Sequence, residues 1–162
     1  MNDYSDLIYT ILSIAIFSVL LLQANSLMLR NDIVTVNHEY EKTAIAVAQS
    51  VIEEAKTRTF DENTNPEDIP GDFKDPGLFG NNGLDRENFT AFDHYHGLNE
   101  IVTTQLGDYE VNVTVTYVND QPPFDISAGK STSKRMTVTA SSVGNDDFAT
   151  LFYIKSFFNT SP

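Results

Sequence analysis

The sequence predicts an α+β protein: one long N-terminal helix, apolar in its first half and amphipathic in its second, packed on a small antiparallel β-sheet domain. Three observations predict it. The chain holds eight Gly and six Pro in 162 residues, and none precedes Pro66, so the N-terminal third lacks the residues on which turns depend. Apolar and small residues then recur three or four apart from Ile33 to Ala55, the spacing of one helix face. Two later segments, YEVNVTVTYV (109–118) and SKRMTVTASS (133–142), alternate apolar and polar residues, as half-buried strands do.

The helix opens with LIYTILSIAIFSVLLL (7–22), inside a span from Leu7 to Leu29 that carries no charge. A bilayer core needs about 20 such residues. Asp3 and Asp6 precede the run and Arg30 follows it; an acidic leading segment fits a secretory signal peptide poorly. Past Arg30 the stripe is Ile33, Val36, Tyr40, Ala44, Val47, Val51 and Ala55, with Glu39, Glu41, Lys42, Glu53 and Glu54 mostly off it. Lys56 and Arg58 fall in the last turn, where cations complement the helix dipole, and the helix is expected to end near Thr59. About 55 helical residues would span roughly 80 Å, more than a small domain can cover. Half of the helix must therefore be sheltered by something else.

These boundaries give residues 1–30 as an apolar membrane or filament-core half-helix and 31–162 as a globular domain. Within the latter, 31–59 is the amphipathic half-helix, 60–107 an acidic irregular region and 108–162 the antiparallel strands. The irregular region is rich in Pro and Gly, but Phe60, Phe73, Phe79, Phe89, Phe92 and Tyr95 predict that it is pinned to a core. In the strands, Tyr109, Val111, Val113, Val115 and Tyr117 share one face, and Met136, Val138 and Ala140 another. FATLFYIKSFF (148–158) is expected as an edge or closing strand. The apolar sheet face should pack on the Tyr40–Ala55 stripe.

Charge narrows the partners. The net charge is −13, and residues 61–100 carry ten acids against two bases, −8 of that total. Nucleic acid is an unsuitable partner, since phosphate binding needs a basic footprint. There is no cysteine, hence no disulfide framework and no thiolate metal site. No nucleophile elbow, P-loop or H-E-x-x-H motif occurs in the sequence, and an enzyme is not expected.

The segment AVAQSVIEEAKTRTFDE (46–62) resembles the close of the long helix in type IV pilins and pseudopilins. FDHYHGL (92–98) is similar to an aspartate-rich stretch in some minor pilins, and the two alternating segments resemble their paired strands. The resemblance implies a structural subunit of an extracellular pilus-like helical filament, assembled by packing of apolar helices. Leu7, Ile11, Ile14, Phe17 and Leu21 would form the filament-core helix. It further implies that an early carboxylate pairs with a neighbouring subunit's terminal amine; Asp6, and secondly Asp3, are the candidates, although a solvated helix start explains both equally. Partners would be copies of the chain, an inner-membrane assembly machinery and the membrane that holds the subunit before assembly, with the final location on the cell surface.

The sequence departs from the family at its start, which shows no basic leader and has Ser5 where family members carry a glutamate. Either the chain is already processed or it belongs to a divergent branch. Arg30 on the C-terminal flank, taken alone, would orient the β domain toward the cytoplasm. Two alternatives remain: a low-copy pseudopilin of a pilus or secretion machine, and a bitopic membrane protein whose outer domain binds a ligand or calcium. Asp72, Asp75 and Asp85, with Asn81 and Asn82, are weak calcium candidates, and an acidic solvated loop accounts for them as well. Asp93, His94 and His96 are metal-ligand types, while surface or hydrogen-bonded histidines are the plainer expectation. No cofactor is expected otherwise. Sequons at Asn88, Asn112 and Asn159 are of the kind chance supplies.

Overall fold

A computed structural model of the chain describes residues 3–63, 72–144 and 147–157, the side chains of 3, 32 and 33 apart. Helix α1 runs Asp3–Lys56, without interruption between Ser26 and Asn37. Four strands follow, β1 Asn99–Thr104, β2 Gly107–Val118, β3 Ser133–Ser142 and β4 Phe148–Ser156, as one antiparallel sheet in the order β1-β2-β3-β4. The α+β fold expected from the sequence is the fold observed.

The chain divides into two compact units, Met1–Glu39 and Tyr40–Pro162. That division lies beyond the 30/31 boundary drawn from hydropathy. Charge returns at Arg30, but packing against the sheet starts only at Tyr40: Val36 is exposed, Tyr40 half-buried, and Ala44, Val47, Ala48, Val51, Ile52 and Ala55 are buried. Three of those six are alanine, so the helix backbone can lie close to the sheet.

In the second unit the core is built by phase. β2 buries Tyr109, Val111, Val113, Val115 and Tyr117, and β3 buries Met136, Val138 and Ala140, because a strand sends alternate side chains to one face. The Tyr109 hydroxyl donates to the Tyr40 carbonyl at 3.2 Å. The edge strand β4 sends Lys155 inward, where its ammonium donates to the carbonyls of Lys56 and Arg58, two acceptors that a helix end leaves without intrahelical partners.

Residues 60–107 are less irregular than composition predicts. Their described residues hold three 3-10 turns, Pro76–Leu78, Arg86–Asn88 and Phe92–Tyr95, and all of β1. β1 escapes a pattern search because it is an edge strand with no fully buried residue, so nothing forces alternation in NEIVTT. The aromatic anchors act as expected: Phe60, Phe73, Phe89, Phe92 and Tyr95 are buried, and Phe79 is half-buried beneath Tyr117.

Candidate functional site

Two features stand out, one in each unit. The first is the surface of α1 from Leu7 to Leu29. Leu7, Ile11, Ile14, Phe17 and Leu21 are 55–61% exposed, and Ile8, Leu12, Ile16 and Leu20 on the remaining faces are 53–61% exposed. By length and composition the helix can cross a membrane. A helix apolar all round is stable only inside a membrane or a larger apolar assembly. Its serines and threonines conform to that: the hydroxyls of Thr10, Ser13, Ser18 and Ser26 each donate to a carbonyl three or four residues back at 2.7–2.9 Å. Each hydroxyl thus meets its hydrogen-bonding need within the helix, as a water-free medium demands.

The second feature is a buried ionic cluster that joins the segment just past α1 to β3. Lys134, on β3, is fully buried, and its Nζ lies 2.6 Å from Asp61 Oδ2, 3.0 Å from the Phe60 carbonyl and 3.5 Å from Asp93 Oδ1. The rings of Phe60, Phe79 and Tyr117 surround the ammonium at 4.6–5.2 Å. Asp61 also accepts from the backbone N–H groups of Asn63 and Lys74. Burial alone would raise its carboxyl pKa, but Lys134 and those N–H groups hold it below the ordinary value. The Tyr117 hydroxyl stands 2.8 Å from the Lys74 carbonyl and 3.3 Å from Asp61 Oδ2. Lys74 Nζ pairs with Glu62 at 2.7 Å and approaches Asp93 Oδ2 at 3.7 Å. Asp93 is wholly buried, and neither of its oxygens has a hydrogen bond among the described residues.

The cluster contains the trio that most resembles a metal site. Glu62, Asp93 and His94 bring ligand atoms within 4.8 Å of one another. The Lys74 ammonium sits against the same Glu62 and Asp93 carboxylates and supplies the positive charge a metal would bring. His94 is buried, accepts from the Thr90 N–H through Nδ1 at 3.4 Å, and has Nε2 3.6 Å from Glu62. His96 turns elsewhere, its Nδ1 accepting from the Val115 N–H at 3.1 Å. Both histidines are hydrogen-bonded, and neither lies on the open surface. Of the calcium candidates, Asp72 and Asp85 are exposed and Asp75 pairs with Lys130 at 3.1 Å; the three form no ligand group among the described residues. Asp6 is exposed. The Asp3 side chain and the sequon at Asn159 lie outside the described residues.

Sequence reading missed Asp61, Lys74 and Lys134 as cluster members. A signal existed for the last: Lys134 shares the period-two phase of Met136, Val138 and Ala140, so alternation already placed it indoors. It also missed Glu54, whose carboxylate ties α1 to the acidic region. Glu54 accepts from Arg86 at 2.6 and 3.1 Å and from the Tyr95 hydroxyl at 2.7 Å, with Arg58 at 3.6 Å, while Arg86 also pairs with Glu100 on β1. Burial and the bond to Glu54 push the Tyr95 phenol up to about 12. For Glu54, partial burial opposes ionisation, but Arg86, Tyr95 and Arg58 together keep the carboxyl below its ordinary 4.5. A depressed carboxyl contributes stability that is present above 4.5 and lost as pH falls through the folded value. Glu54→Gln should therefore cost about 1–2 kcal/mol at neutral pH, and its deficit should shrink below pH 4.5. Urea midpoints across that range check this; a deficit independent of pH would contradict it.

Compared with known proteins, the chain matches no family model, no curated protein and no solved structure.

Proposed function

We propose that the protein is a pilin-like structural subunit, held in a membrane by its apolar half-helix and transferred with that helix into the core of an extracellular helical filament. The observation that carries this reading is the exposed, uncharged helix surface from Leu7 to Leu29, apolar on every face from Leu7 to Leu22 and with its serine and threonine hydroxyls bonded internally. Membrane and filament core are both apolar, so the hydrophobic term nearly cancels on transfer and packing with charge pairing decides the balance. Head-to-tail contacts that do not close then build a fibre. The acidic sheet unit would coat the outside, and Asp6 would pair with a neighbour's terminal amine. A low-copy role at the tip or base of a pilus or secretion machine uses the same physics.

A second reading, a bitopic membrane protein with a ligand-binding outer domain, has as its support a groove of about 280 Å³ on the outer sheet face, lined by Phe124, Arg135, Thr137, Phe152 and Ile154. Negative-stain microscopy of full-length protein from the cell surface, beside a chain starting at Asn31, separates the two. Full-length protein should form fibres, whereas the shortened chain should be a soluble monomer. Fibres from the shortened chain would remove the apolar helix as the assembly element. Full-length protein found only as membrane-bound monomers would favour the bitopic reading. Asp6→Ala should reduce fibre yield with the sheet unit still folded, and normal yield would refute the pairing role.

A further inference from the structure

We propose that Lys134 and Asp61 condense into an intramolecular isopeptide bond, with Asp93 carrying the protons. The juxtaposition is a buried amine, an acceptor carboxyl in contact with it, and a second buried carboxyl that has no hydrogen bond among the described residues and lies 3.5 Å from the Lys134 ammonium and 3.7 Å from that of Lys74. Lys134 Nζ is held 2.6 Å from Asp61 Oδ2, inside a box formed by Phe60, Phe79 and Tyr117. Both side chains are essentially without solvent exposure. The two carboxyls differ in a way that assigns their roles. Asp61 is gripped by the N–H groups of Asn63 and Lys74, which can hold an oxyanion. Asp93 Oδ1 stands 3.5 Å from the same ammonium, and its oxygens have no hydrogen bond among the described residues, which suits a group that must take and return protons.

The step balances without a cofactor. The Lys134 ammonium passes one proton to Asp93, leaving a neutral amine. Asp93 hands that proton to Asp61 Oδ2, so that the acceptor is a neutral carboxyl when the Lys134 nitrogen attacks Cγ, and the single negative charge grows on Oδ1 against the Asn63 and Lys74 N–H groups. Asp93 then removes a second proton from the nitrogen and delivers it to the Oδ2 hydroxyl. The C–O bond then breaks and water leaves. One ammonium and one carboxylate become one amide and one water, with no change in net charge. Burial favours the neutral amine, lowering the Lys134 pKa, while Asp93 and Asp61 offset that in part. The product is favoured for the same reason, since an amide carries none of the desolvation cost of two buried charges. Fixed proximity supplies the rate. The bond would join the chain just past α1 to β3, and it stands independently of the filament reading.

Intact mass of the full-length chain under denaturing conditions tests this directly. The expected mass is lighter than the sequence by one water, and peptide mapping should yield a branched peptide joining the segments that contain Asp61 and Lys134. Full mass in the wild type would overturn the proposal, as would a water loss mapped to any other pair. Asp93→Asn keeps the shape of the side chain and should fold, by circular dichroism and urea unfolding, yet retain full mass. If the folded variant still lost water, Asp93 would not be the carrier.

Discussion

Lys134→Ala is expected to lower the unfolding free energy of the sheet unit by about 3–5 kcal/mol, the range for removing one partner of a buried charge pair. Asp61 would lose the ammonium at 2.6 Å and Asp93 the one at 3.5 Å, and neither carboxylate could reach water to compensate. The aliphatic stem would also leave a gap between Phe60, Phe79 and Tyr117. Lys134→Met separates the two causes: it refills the gap and should recover only the packing share. Urea unfolding followed by tyrosine fluorescence measures both variants. An alanine variant within 1 kcal/mol of the parent, on the order of a surface change, would mean that the carboxylates are satisfied by other groups. That range is for the ion pair; where the proposed amide has formed, Lys134→Ala removes a cross-link as well and the loss is larger.

Phe92→Ala should cost about 3–5 kcal/mol, as for other fully buried aromatics. Phe92 has no exposed surface, meets Tyr153 edge-on at 6.3 Å, and lies 5.6 Å beneath the Lys155 ammonium that caps α1. Its backbone N–H donates to the Thr59 carbonyl at 3.0 Å, while the Thr59 N–H donates to Thr90. The residue thus holds the helix end, the 90–92 segment and β4 at one point. Phe79→Ala, at a half-buried ring, should cost clearly less in the same urea series. Equal costs at the two positions would show that the core does not extend beneath Phe92 as described.

Legibility followed burial. Where one face of an element is wholly buried, as in β2 and β3, the polar/apolar pattern must repeat, and the sequence displayed it. Where burial is partial, as in β1 and the 3-10 turns, many residue types satisfy the backbone and no pattern is enforced. The candidate sites divide in the same way. The apolar run of α1 is a local property, readable without any fold. Asp61, Lys74, Asp93 and Lys134 become neighbours only because the sheet register and the aromatic anchors bring segments 60–62, 73–74, 92–95 and β3 together.

By itself, then, the sequence determined the fold class, the apolar helix surface and the inward face of each central strand. All three are set by residue type at fixed local periods. Tertiary structure alone decided which charges were buried and with whom. A carboxylate in an acidic chain looks the same at every position until packing removes its water, and from there its neighbours dictate its chemistry.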